Sequence, residues 1–365
     1  MAEVKIKNIS KRFSPNSPLA VNNLNLDIAD GEFLVLLGPS GCGKTTTLRC
    51  VAGLETQTAG DIYIGDRLVN GLPVGERDIA FVFQFYALYP HLSAYDNIAF
   101  PLRAQKLQKD EVDKRVQQVA KQLRIENILN RRPSSLPSGE QQRIALGRAI
   151  IRRPQVFLMD EPLTNLDAAL RTDMRVELKL LQENLATTMV YVTHDQIEAM
   201  SMADRIAVMD QGVLQQVNTP LEIYNHPSTL FVAGFIGTPP MNLIDCHLNG
   251  SNTLSDEKGD FKLSGSLIEK LKSKIQDPEK PLIVGVRSED VFIDTADGPS
   301  EVRGEIVARE SLGDETIYAV EIGEYIIRVK TDPTLVLNTG TNVGLNFARD
   351  RIHIFDAKSK EAIKL

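Results

Sequence analysis

Apolar positions along this 365-residue chain change pattern three times, and those changes divide it into regions. Up to about residue 90, period two prevails. Val4, Ile6 and Ile9, then Leu24, Leu26 and Ile28, fall near alternate positions, as half-buried strands require. Asp30-Gly31 is a turn signal ahead of Phe33–Leu37, a short run that reads as a buried strand. Ile62 and Ile64 alternate before a second turn at Gly65-Asp66. From about 96 to 152 the spacing becomes helical, with Val112, Val116, Val119 and Leu123 separated by Lys, Gln and Asp. Pro133 and Pro137 bracket a break, and a further helix is expected from about Glu140 to Ile151.

Strands and helices then alternate. Val156–Met159, Met189–Val192 and Ile206–Met209 read as buried strands, and Leu170, Met174, Leu178, Leu181 and Leu185 as the stripe of a helix. Such alternation predicts a parallel sheet with ligands at the carboxyl ends of its strands. From about Gly237 short strands with turns take over, among them Leu282–Val286, Thr316–Val320, Tyr325–Val329 and Arg351–Phe355. The expectation is an α/β domain over residues 1–236, interrupted by a helical block at about 96–152, and a separate β-rich domain of small barrels over 237–365.

Composition narrows this picture only modestly. The 48 acidic residues against 41 basic leave a charge of −7, which argues against a nucleic-acid partner. Three cysteines give no disulfide framework and suit a reducing compartment. No apolar run approaches the roughly 20 residues that cross a bilayer, and the N-terminus has no signal-peptide core. The expectation is a soluble chain that reaches a membrane only by docking onto another protein.

The candidate chemistry begins at Gly38-Pro39-Ser40-Gly41-Cys42-Gly43-Lys44-Thr45, a phosphate-loop pattern between a strand and a helix opened by Thr46. Backbone N–H groups and the helix N-terminus point at phosphate there. Lys44 reaches the β/γ-phosphates, and the Thr45 hydroxyl coordinates Mg²⁺. Asp160, at the end of the strand from Val156, is the natural holder of Mg²⁺ and its water. Glu161 is the natural base for an attacking water. Taken alone, the pair also reads as an acidic turn. His194 follows the next strand and could bond a γ-phosphate or position the water. Gln84 follows the strand Ile79–Phe83 and could reach Mg²⁺ or water, or be an ordinary polar strand end. Phe13 could stack on a base, although a lone aromatic is more often core.

The order of these groups, with Leu136-Pro137-Ser138-Gly139-Glu140-Gln141-Gln142-Arg143 and Asn165-Leu166-Asp167 between them, resembles the ATP-binding subunits of ABC transporters. Phe231–Gly237, Met241-Asn242-Leu243 and Gly285–Asp290 are similar to maltose-type carbohydrate importers, whose C-terminal regulatory domain is OB-like. The fold implied is a P-loop NTPase of α/β class with a helical subdomain, followed by that OB-like domain. The resemblance implies a dimer, here a homodimer, that sandwiches ATP and Mg²⁺. Phe13 then stacks on adenine. Gln84 senses Mg²⁺ and signals to an integral membrane permease. Asp160 holds the metal's water shell, Glu161 is the base and His194 holds the transition state. Asp167 communicates across the dimer. The other copy's Ser138, Gly139 and Glu140 complete each site. The apolar surface from Phe85 to Leu92 would receive a permease helix. An extracytoplasmic solute-binding protein takes part indirectly, and the chain would lie peripherally on the cytoplasmic face of the membrane.

The family prefers Leu-Ser-Gly-Gly-Gln where this chain has Leu136-Pro137-Ser138-Gly139-Glu140. Pro137 supplies neither hydroxyl nor N–H, and the expectation is reduced but non-zero hydrolysis. Two alternatives to an importer ATPase stay open at the sequence level. One is a regulatory or structural nucleotide-binding subunit in a heterodimer, and the other a soluble ABC ATPase that transports nothing.

Overall fold

The computed structural model describes residues 2–249, 253–275, 277, 280–294, 300 and 302–364. They form two compact units, 1–220 and 221–365. The division falls within the first turn of the short helix Pro220–Asn225, so that the rest of it and the helix Leu230–Phe235, which precede the boundary expected at 237, belong to the second unit.

The first unit carries two sheets among its described residues. In the first, β1 (Val4–Lys11) lies between β2 (Val21–Ile28) and β4 (Ala59–Ile64), and the short β5 (Arg67–Leu68) pairs with β4. All these pairings are antiparallel. The alternation read from the sequence is real here: Val4, Ile6, Ile9, Leu24, Leu26 and Ile28 are buried and polar residues intervene.

The second sheet bears the chemistry. Its strands are β3 (Phe33–Leu37), β6 (Ile79–Val82), β7 (Val156–Asp160), β8 (Thr188–Thr193), β9 (Arg205–Asp210) and β10 (Val213–Asn218). Their order is β10-β9-β3-β8-β7-β6, parallel except for β10. Strands β3, β7 and β8 are buried at every position, as a sheet covered on both faces demands. The register pairs Leu37 with Thr193 and Asp160 with Val192. The carboxyl ends of three adjacent strands therefore align, and Gly38, His194 and Glu161 are the first residues beyond them.

Helix α1 (Lys44–Ala52) follows β3. The helical block consists of α2 (Ala94–Ala104), α3 (Lys109–Gln122) and α4 (Ser138–Ile150). Val112, Val116, Val119 and Ala120 bury one face of α3, matching the helical spacing in the sequence. Ser93 caps α2 by accepting the Asp96 N–H. Helix α5 (Ala168–Leu185) joins β7 to β8, and α6 (Gln196–Met202) joins β8 to β9.

The second unit has two five-stranded antiparallel sheets among its described residues. One centres on Asn242–Asn249 and Leu282–Val286, the other on Val302–Ser311 and Thr316–Ile322. A helix at Ser266–Lys274 interrupts the strand pattern and buries Leu267, Ile268 and Leu271 in the unit's core. Arg287, 4% exposed, lies 3.6 Å above the ring of Tyr224 and donates to the carbonyls of Tyr224 and Ile236.

Candidate functional site

The phosphate loop leaves β3 at Gly38 and enters α1 at Lys44. Gly43, the N-cap of α1, has φ +104, and a Cβ there would stand 2.3 Å from the Ala20 carbonyl oxygen. Only glycine fits that position. Gly38 and Cys42 are buried, Ser40 and Gly41 are exposed, and Pro39, Thr45 and Thr46 are half-buried. Lys44 is 5% exposed, and its ammonium donates to the carbonyls of Gly38 at 2.7 Å and Pro39 at 2.9 Å. The cation is thus held inside the loop that it would share with phosphate.

Thr45 donates its hydroxyl to Asp160 Oδ1 at 2.8 Å, which joins α1 to the end of β7. Burial pushes the Asp160 carboxyl up, and the Thr45 bond works against that. A desolvated carboxylate beside a hydroxyl is a hard-oxygen donor set that suits Mg²⁺. Glu161 follows with φ +46, a left-handed conformation uncommon outside glycine. Its N–H donates to Val192 O at 3.1 Å, so the neighbouring strand fixes the turn. Strain of this kind gathers at working sites. Glu161 Oε2 lies 3.3 Å from His194 Nδ1 and accepts from the Thr164 hydroxyl at 3.3 Å. The His194 side chain is half exposed. Thr45, Asp160, Glu161 and His194, predicted separately, are thereby brought together.

The remaining candidates make no side-chain hydrogen bond to these four residues among the described residues. Gln84 is half-buried, and its carbonyl accepts from Asn165 Nδ2 at 2.8 Å, a tie that sequence reasoning missed. Phe13 is 60% exposed with the Lys11 ammonium 4.9 Å from its ring centroid, so the alternative of a core aromatic fails. Asp167 caps α5 by accepting the Leu170 N–H at 3.0 Å. Ser138, Gly139 and Glu140 open α4 behind Pro137. Glu140 stands at the third helical position, where a capping carboxylate would reach back to the N-cap N–H. Pro137 has none, and Glu140 Oε2 is buried without a hydrogen-bond partner among the described residues. Gly139 packs α4 against α5, since a Cβ there would come within 2.6 Å of Leu170. No hydrogen bond or ion pair joins Phe13, Ser138, Gly139 or Glu140 to the phosphate loop among the described residues.

The loop from Phe85 to Leu92 is largely exposed, with Tyr86 buried beneath it. Phe85 is 75% exposed, and Phe83, Tyr89 and Phe100 are partly so. Its backbone is held from beneath. Tyr86 and Ala87 are both left-handed, and Arg148 of α4 donates to their carbonyls at 2.9 and 2.7 Å. Asn97, fully buried, bonds both the N–H and the carbonyl of Tyr89. A cavity of about 710 Å³ lies near the amino end of β7, lined by Arg115, Lys121, Arg153, Ile151 and Phe157, and shares no residue with the phosphate loop.

Comparison with known proteins agrees with this geometry. The ABC transporter family model matches residues 21–164, and the TOBE domain model residues 284–355. The chain is 47% identical to the trehalose/maltose import ATP-binding protein MalK of Thermococcus litoralis, over the whole of both chains. It is 46% identical to the xylose/arabinose import ATP-binding protein XacK of Haloferax volcanii, covering all of this chain and 96% of that one. It is 44% identical to the sn-glycerol-3-phosphate import ATP-binding protein UgpC of Cupriavidus pinatubonensis, again over the full length of both. Among solved structures, a dimeric ATP-binding cassette in a post-hydrolysis state, bound to ADP and Pi, aligns with a TM-score of 0.54 and 33% identity. The match covers 60% of this chain and 98% of that one. With an α/β phosphate-loop unit followed by a β-rich TOBE unit, the chain belongs to the ABC transporter family, as an ATP-binding subunit of the importer type.

Proposed function

We propose that this ATPase works as a homodimer on the cytoplasmic face of a membrane and powers uptake of a sugar, oligosaccharide or polyol through an integral permease. The observation that carries the reading is the pair of contacts just beyond the phosphate loop, Thr45 with Asp160 and Glu161 with His194. The solute class rests on relatives named for trehalose/maltose and xylose/arabinose import. No helix is long and apolar enough to cross a membrane among the described residues.

The loop's N–H groups and the α1 N-terminus bind the β- and γ-phosphates, and Lys44 neutralises charge between them. Thr45 and Asp160 would hold Mg²⁺, which supplies neutralisation of the phosphate oxygens, and Gln84 reports on that side of the site. Water attacks the γ-phosphorus, the bond to the bridging oxygen breaks, and the water's proton passes to the Glu161 carboxylate. His194 orients Glu161 and faces the γ-phosphate. Phe13 stacks on adenine. Ser138, Gly139 and Glu140 of the second copy close over the nucleotide, and Asp167 meets that copy. A solute-binding protein outside the membrane delivers cargo.

One observation favours a second reading. Pro137 and a Glu140 oxygen buried without a partner among the described residues depart from the family's closing segment, which suits a regulatory subunit paired with a different ATPase. The native mass of the assembled complex separates the two: one kind of ATPase subunit supports the homodimer, and two kinds support the heterodimer. Uptake by membrane vesicles carrying the complex and its solute-binding protein, across a panel of sugars, polyols and glycerol phosphate, tests the main reading. ATP-dependent accumulation of a sugar or polyol is expected. Accumulation of none of them, or isolation without any membrane protein, contradicts it.

A further inference from the structure

The two backbone neighbours of His194 are both anchored. Thr193, 2% exposed, donates its hydroxyl to Glu198 Oε2 at 2.7 Å, and the same hydroxyl oxygen accepts the Asp195 N–H at 3.0 Å. The Tyr191 hydroxyl donates to the same Glu198 oxygen at 2.8 Å. Glu198 is 3% exposed. Burial pushes its carboxyl up, and the two donated hydroxyls pull it back. Asp195 caps α6, its Oδ1 accepting from Ile197 N at 2.8 Å and Glu198 N at 3.2 Å. Side-chain hydrogen bonds therefore hold both residues that flank His194.

The second carboxylate oxygen of Asp195 leads elsewhere. It lies 3.5 Å from Nη1 of Arg171 on α5. Nη2 of the same guanidinium donates to the carbonyl of Leu166 at 3.2 Å, the residue before Asp167. The Arg171 N–H also donates to the Asp167 carbonyl at 2.9 Å. One side chain thus spans the segment after β8, which bears His194, and the segment after β7, which bears Asp167.

We infer that Arg171 is a positioning residue that makes the His194 and Asp167 segments move as one body, with Glu198 as its buried anchor. The inference rests on the roles proposed above for His194 and Asp167. A guanidinium suits this task because its planar fork meets two acceptors at once, whereas an ammonium is a point charge. A second copy closing against Asp167 then sets the position of His194 without touching it.

Full-length protein assembled with its permease tests this. Arg171→Ala is expected to lower kcat for ATP by about tenfold to a hundredfold, the scale of a small misplacement of a catalytic group. KM for ATP stays within about twofold, since the phosphate loop is untouched. Arg171→Lys recovers part of the loss. Amide exchange in the full-length chain is a second readout. Arg171→Ala should speed exchange at 164–170 and at 193–198 together, and leave 38–45 unchanged. An unchanged kcat, a KM that rises in step with the loss, or faster exchange at one segment alone overturns the inference. A wild type that does not hydrolyse ATP contradicts the functional reading instead, and the exchange pattern still decides the linkage.

Discussion

Asp160 is 7% exposed, and burial holds its carboxyl above the ordinary carboxylate range while the Thr45 hydroxyl works the other way. The folded chain therefore binds that proton more tightly than the unfolded chain does. The stabilising contribution is complete below the unfolded pKa and is lost as pH rises through the folded one. At neutral pH the buried carboxylate is a cost to stability, which the Mg²⁺ role proposed for it would explain. Asp160→Asn keeps an acceptor for Thr45 and removes that cost. It should raise the melting temperature of nucleotide-free protein at pH 7 while abolishing magnesium-dependent turnover. The gain should shrink as the pH is lowered through the raised pKa. Equal melting temperatures for wild type and variant at pH 7 would refute this, and thermal unfolding across pH measures it.

Helix α4 links two surfaces at its ends. Its N-terminus presents Ser138 and Glu140 behind Pro137, and near its C-terminus Arg148 carries the loop from Tyr86 to Tyr89. The guanidinium also lies 5.5 Å from the Tyr89 ring centroid. Arg148→Ala leaves the carbonyls of two left-handed residues without their donor. Hydrogen bonds to a charged group are worth about 1.5–3 kcal/mol. Amide exchange at 84–90 should accelerate sharply in this variant with little change at 38–45; unchanged exchange at 84–90 would contradict the role given to Arg148. Arg148, Asn97 and Arg171 share a property that explains why the sequence did not reveal them. Each bonds backbone carbonyls or N–H groups, Arg171 in addition to its pair with Asp195, and such groups carry no residue identity and leave no spacing to read. The phosphate loop was legible because its glycines and lysine keep a fixed spacing after a strand, and Asp160, Glu161 and His194 because each follows a strand whose apolar run is plain. Legible too were the strands β3, β7, β8 and β9 and the helical spacing of α3. The helix at Ser266–Lys274 was missed because three apolar residues in nine do not stand out among the strands around them.

Across the whole molecule, the nucleotide groups of one chain fall into two sets that do not touch. The phosphate loop and its carboxylates form one set, and the segment at 137–140 forms the other. In the homodimer proposed above, a composite site between two copies would unite them, and the altered segment would then limit how firmly the copies close. Restoring the family pattern with Pro137→Ser, Ser138→Gly and Glu140→Gln should raise ATP turnover of the assembled complex by roughly tenfold or more, the worth of one charge-assisted bond. Equal rates would mean that Ser138 already replaces the missing hydroxyl. The decisive measurement is steady-state ATP hydrolysis by the full-length chain assembled with its permease, beside the Glu161→Gln variant, with ATP binding measured on both. Turnover in the wild type that falls by at least a hundredfold in the variant, with ATP binding retained, is the predicted result for loss of a general base. Equal turnover in the two proteins, or none in the wild type, would contradict it.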